Sequence, residues 1–70
     1  MRYPVTIRVN GESLELAGPV TISGLLSRLT IDSRLVAVEH NLTVVKRDKF
    51  PAVVINDGDE IEIVNFVGGG

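Results

Sequence analysis

The chain has 70 residues, no cysteine, 44% hydrophobic residues and a net charge of −2. That length admits one domain, which buries only about 60% of the surface its unfolded chain exposes. Disulfides are excluded, and the lone His40 cannot fill a zinc site unaided, so an apolar core must hold the fold.

Tyr3 to Val9 alternates, with Tyr3, Val5, Ile7 and Val9 on one face and Thr6 and Arg8 on the other, as a half-buried strand requires. Asn10-Gly11 predicts a type I′ hairpin turn, which needs positive φ at both central residues. The return strand runs over Ser13 to Leu16 with Leu14 and Leu16 inward, and Ala17-Gly18-Pro19 ends it. Ile22, Leu25, Leu26 and Leu29 then fall on one helical stripe. Thr21 is placed to cap that helix, and Gly24 within it costs about 1 kcal/mol relative to alanine, so packing has to sustain it.

Leu35 to Glu39 reads as a strand, Asn41-Leu42 as a turn and Val44-Val45 as a short edge strand. Phe50 is expected to plug the core from a loop, and Ala52 to Ile55 can be extended. Asp57-Gly58-Asp59 is a turn, lacking the further ligands and closing glutamate of a calcium loop. Glu60 to Phe66 is the final strand, with Ile61 and Ile63 inward. Ile7, Leu26, Val38 and Ile63 are the expected core. This order predicts an α+β, β-grasp (ubiquitin-like) fold: a mixed sheet of four to five strands with one helix packed across it. The first and last strands should lie side by side and parallel. Residues 1–67 would form the domain and residues 68–70 a flexible glycine tail.

The negative charge argues against nucleic acid, where binding depends on clustered cations. Lys46, Arg47 and Lys49 are the basic cluster, without an aromatic run to stack on bases, and read as a solvated loop. The first ten residues contain no apolar signal region and no stretch is long enough to span a membrane, so a cytoplasmic chain, monomeric when free, is expected. Catalytic constellations are missing: there is no cysteine nucleophile, phosphate-cradling loop or metal-spaced cluster. His40 reads as a solvent-exposed histidine beside a turn. No cofactor is expected.

The sequence ends in Gly68-Gly69-Gly70. Such a run can be a frayed terminus or an expression remnant. Here it leaves a strand directly, behind Phe66 and Val67. Four residues from Val67 reach about 13 Å when extended, and a thread without Cβ atoms can enter an active site too narrow for a branched residue.

Asn10-Gly11-Glu12, the helix segment Thr21 to Leu29, Val36-Ala37-Val38-Glu39 with Asn41, Val45 with Arg47, Phe50, Asp57-Gly58-Asp59, and Glu60-Ile61-Glu62-Ile63-Val64 through Val67-Gly68-Gly69-Gly70 together resemble ThiS, the sulfur-carrier family of thiamin biosynthesis. The likeness covers nearly the whole chain. The segment Met1 to Pro4 is slightly longer than expected, and Lys46 stands where such sequences often have proline. The resemblance implies a carrier and not an enzyme. A ThiF-type adenylating enzyme would use ATP and magnesium to convert the Gly70 carboxylate to an acyl-adenylate, and a sulfur-donor relay would replace AMP to leave a thiocarboxylate. Thiazole synthase (ThiG) would accept the sulfur. Rival readings are a carrier for molybdopterin or tRNA thiolation, a protein modifier conjugated through Gly70, and an interaction domain with an inert tail.

Val64 and Phe66, on the face opposite Ile61 and Ile63, should give the outer sheet surface an apolar patch near the tail, where Phe66 either tucks against the edge of the core or, with Val67, anchors the adenylating enzyme. Asp59, Glu60 and Glu62 would steer toward a basic surface on it.

Overall fold

In the computed structural model, which describes residues 3–66, the expected alternation produces a hairpin of β1 (Val5–Val9) and β2 (Glu12–Leu16). Asn10 and Gly11 turn it with φ of 51° and 84°, the two positive values of a type I′ turn. β1 begins two residues later than the alternation suggests, because its pairing ends at Val5 opposite Leu16. Tyr3, beyond that last pair and ahead of Pro4, is exposed and not part of the inner face.

A short β3 (Val20–Thr21) leads into α1 (Ile22–Arg28). The Thr21 hydroxyl accepts the Gly24 N–H at 3.0 Å, the expected N-cap. The helix buries Ile22, Leu25 and Leu26, and Leu29, the C-cap, packs against the core partly covered. A 3₁₀ turn, Ser33–Leu35, follows. Asp32 caps it, and the Arg34 guanidinium and then the Arg34 amide hold the Asp32 carboxyl down to about 2. Leu35 belongs to this turn and is exposed, so β4 covers Val36–His40 and not Leu35 to Glu39.

Asn41 and Leu42, at φ of 50° and 71°, form a second turn with two positive φ values, into β5 (Thr43–Val45). Lys46, Arg47 and Lys49 are solvated, and Phe50, directly after the 3₁₀ turn Arg47–Lys49, is 2% exposed and plugs the core. β6 (Val54–Ile55) pairs antiparallel with β3 in a two-stranded ladder, and β7 (Glu60–Asn65) completes the described chain.

The main sheet runs β2-β1-β7-β4-β5, with β7 parallel to β1 and antiparallel to β4. Val5, Ile7, Val38 and Ile61 meet Ile22, Leu25 and Leu26 of α1 in the buried core. Ile63 is the exception among the expected core residues: it is only partly buried. β1 pairs with β7 only as far as Val9 opposite Ile61, so beyond that point β7 keeps β4 on one side and has no β1 partner on the other, which leaves Ile63 partly open.

Candidate functional site

β7 occupies the middle of the main sheet, and its two ends differ in chemistry. At its start the chain is gripped by polar groups. Asn41, the residue after β4, accepts the Glu60 N–H with Oδ1 at 2.8 Å and donates its own amide to the Glu60 carbonyl at 2.8 Å. Asn41 Nδ2 donates to Asp59 Oδ1 at 3.2 Å. The other Asp59 oxygen lies 2.7 Å from His40 Nε2 and accepts the Asn56 N–H at 2.8 Å.

His40 is therefore not the solvent-exposed side chain expected of it. Its side chain is 21% exposed. The pleat of β4 puts it on the same side as Val36 and Val38, and its place at the strand end brings the ring to the loop before β7. Asp59 likewise departs from the solvent-facing acidic cluster: its side chain is 16% exposed and both its oxygens are committed to the fold. Removal from water pushes its carboxyl up, and the hydrogen bonds from the Asn56 amide, His40 and Asn41 outweigh that and hold it below the usual carboxylate range.

The Asp57-Gly58-Asp59 turn is pinned to β1 as well. Asp57 Oδ1 accepts the Thr6 N–H at 2.8 Å, and the Gly58 N–H reaches the Thr6 carbonyl at 2.8 Å. Gly58, at φ +84°, makes that reversal without the strain a Cβ would bring.

The other end of β7 is apolar and open. Val64 is 55% exposed and Phe66 56% exposed, as the sequence pattern anticipates. Val64 stands opposite Ala37, and the Phe66 N–H donates to the Leu35 carbonyl at 3.2 Å, which sets exposed Leu35 beside it. On β5, Val44 adds a further exposed valine opposite Glu39. Glu60 and Glu62 are exposed on β7, with Glu62 opposite Glu39 and Glu60 opposite Arg8. The outer face thus joins an apolar patch to an acidic field. Val67, Gly68, Gly69 and Gly70 lie outside the described residues.

A model of the ThiS family matches residues 7–70. The chain belongs to the ThiS family. It is 34% identical to the sulfur carrier protein ThiS of Bacillus subtilis over 65 residues, covering 91% of this chain and 98% of that one. The crystal structure of the thiamine biosynthesis protein ThiS from Geobacter metallireducens superposes with a TM-score of 0.83 at 35% identity, over 94% of this chain and 100% of that one. The mixed sheet crossed by one helix is therefore the ThiS β-grasp. The chain is also 47% identical over 62 residues to a thiazole synthase of Paramagnetospirillum magneticum, spanning 89% of this chain but only 19% of that much longer protein.

Among the described residues, no set of three or more His, Cys, Asp or Glu side chains is grouped to hold a metal ion, and no helix is long and apolar enough to cross a membrane. Sequence reading missed the polar grip on β7 and the turn before it, by His40 and Asn41 and by Asn10, whose carboxamide bonds the Ile63 N–H and carbonyl. The two asparagines did carry a signal, since each opens a turn, but nothing in the sequence says that their carboxamides reach a strand far along the chain.

Proposed function

We propose that the chain is a sulfur carrier for thiamin thiazole formation, with the carboxylate of Gly70 as its working group. What supports the reading most is the exposed Phe66 just past β7, directly after which the ThiS-family match runs on through Val67-Gly68-Gly69-Gly70. The similarity to the sulfur carrier of Bacillus subtilis favours carriage, and the similarity to part of a thiazole synthase favours the thiazole pathway over molybdopterin or tRNA thiolation.

The chemistry follows from the group itself. An α-carboxyl has a pKa of about 3.3–3.7, so at neutral pH it is an anion and a poor electrophile. A ThiF-type enzyme with ATP and magnesium removes this obstacle. The carboxylate oxygen attacks the α-phosphorus, pyrophosphate leaves, and the acyl-adenylate gains AMP as a leaving group. Hydrosulfide, the sulfide-level sulfur that a donor must deliver, then attacks the acyl carbon, AMP departs with the mixed-anhydride oxygen, a proton is lost, and a thiocarboxylate remains for thiazole synthase to use. The carrier supplies position and recognition. Phe66, with Val64 and Val67, anchors the adenylating enzyme, and Glu60 and Glu62 steer it through a basic surface. Asp59 contributes by holding the start of β7 and not by facing the partner.

The test is incubation with ATP, magnesium and the cognate activating enzyme, followed by intact-protein mass spectrometry. An AMP adduct is expected, then exchange of one oxygen for sulfur once sulfide is supplied. Deleting Gly70 moves the carboxylate back by about 3.3–3.6 Å, while attack needs reacting atoms at about 3–3.5 Å. The deletion should abolish adenylation and leave the fold intact; a deletion variant that is adenylated and thiolated like wild type ends the carrier reading. High-mass adducts from native cells would point to a protein modifier instead, and an unchanged carboxylate to an inert tail.

A further inference from the structure

Parallel pairing between β1 and β7 covers only Arg8 opposite Glu60 and Val9 opposite Ile61. The ladder itself is regular up to that point: Arg8 N–H donates to the Asp59 carbonyl at 3.0 Å and Asn10 N–H to the Ile61 carbonyl at 2.8 Å. In the evenly spaced parallel pattern the next bond would run from the Ile63 N–H to the Asn10 carbonyl, and the one after from the residue two beyond Asn10 to the Ile63 carbonyl. Neither backbone group is in place, because the chain reverses at Asn10 with φ 51°.

The Asn10 side chain takes over both positions. Its Oδ1 accepts the Ile63 N–H at 2.7 Å, and its Nδ2 donates to the Ile63 carbonyl at 3.2 Å. A carboxamide carries the same donor and acceptor as a peptide group, and asparagine tolerates the left-handed backbone that the turn imposes. The β1 side of β7 is thereby held two residues further toward Phe66 than the strand pairing alone reaches. Four positions after Ile63 the chain becomes Val67 and the glycines.

We propose that Asn10 is a positioning residue, whose clamp on Ile63 from the β1 side, together with the β4 pairing that runs to Asn65, sets the direction in which the last strand leaves the sheet and so where the Gly70 carboxylate is delivered. The role rests on the sulfur-carrier reading above. Glycine keeps the left-handed turn and deletes the carboxamide, so Asn10→Gly isolates the clamp from the hairpin. Asn10→Asp keeps an acceptor of the same length and loses the donor.

Two measurements decide the matter. In the free protein, amide exchange at Ile63 should accelerate at least tenfold in Asn10→Gly, with exchange at core residue Val38 unchanged. In adenylation by the activating enzyme, kcat should fall about tenfold with KM within twofold, since docking is preserved and delivery is not, and Asn10→Asp should lie between the two. Unchanged Ile63 exchange overturns the clamp. Accelerated exchange with wild-type kcat, or a loss confined to KM, overturns the positioning role. Wild-type protein that is never adenylated overturns the carrier reading and the role with it, a failure told apart because the exchange result in the free protein does not depend on the enzyme.

Discussion

Two turns flank the last strand and are built alike, each opening on an asparagine in left-handed backbone, yet they grip β7 at different heights and with different company. Asn41 holds Glu60 at the start of the strand and is wired into Asp59, which in turn holds His40 and the Asn56 amide. Asn10 holds Ile63 further on, and beyond it the ladder to β4 runs on through Asn65 while Val64 and Phe66 stand exposed on the outer face. One end of the strand is fastened by a polar network into the fold. The other is held by backbone pairing to β4 and, on the functional reading, leaves its apolar side chains open for a partner to cover.

The comparison breaks most readily at Asp59. Asp59→Ala leaves His40, Asn41 and the Asn56 amide without their acceptor, and groups stranded at a part-buried site cost about 1–3 kcal/mol. Chemical denaturation should show that loss, with adenylation KM unchanged because the carboxylate does not face the partner. The acid limb sharpens the point. The folded protein holds Asp59 below its ordinary value, so it binds fewer protons there than the unfolded chain does. Its contribution is complete above the unfolded carboxylate pKa of about 3.9 and is lost as pH falls from there through the folded value. Asp59→Ala should therefore lose less stability than wild type across that window; an equal loss would mean that the network is not what fastens this end.

Phe66 tests the opposite end. Phe66→Ala removes an already exposed ring, so stability should stay within about 0.5 kcal/mol. Affinity for the activating enzyme should fall about tenfold, or roughly 1.4 kcal/mol. Stability loss with full affinity would place Phe66 with the fold and erase the contrast between the two ends. Association that does not respond to salt would separately remove the steering role from Glu60 and Glu62.

Much of this architecture is legible in the sequence because it is local. The Asn10-Gly11 turn, the helical stripe Ile22-Leu25-Leu26, the Thr21 cap and the alternation of β1 and β7 each depend on neighbours within a few residues. The order of these elements yields the topology, and family resemblance adds the chemistry expected of the glycine tail. What escapes is either very short or far apart in the chain. β3 and β6 are two residues each, too few to show a period. The His40–Asp59 contact joins positions 19 apart, and the Asn10 clamp joins positions 53 apart, so each depends on a register that exists only once the sheet has formed. Exposed Leu35 and half-buried Ile63 escape for a related reason: alternation assigns a face, while the point at which β4 begins and the point at which β1 ends decide whether that face is covered.

The smallest expected effect comes from Gly24, away from both ends. A Cβ there would lie 3.4 Å from Thr21 Oγ1 and 3.6 Å from Val20 Cβ, ordinary contacts, and its φ is not of the left-handed kind. Gly24→Ala should therefore stabilise the domain by about 0.5–1 kcal/mol through the restricted unfolded chain and better helix propensity. At 1.4 kcal/mol per decade this slows any exchange that requires global unfolding by roughly two- to fivefold. Amides that open only locally do not share the gain. The Asn41 amide, bonded to the Glu60 carbonyl, should slow by the full factor, whereas the Phe66 amide, bonded to the Leu35 carbonyl beside the open patch, should exchange as before. Equal slowing at both would mean that β7 opens as one unit, and that its tail-ward end is as firmly fastened as its start.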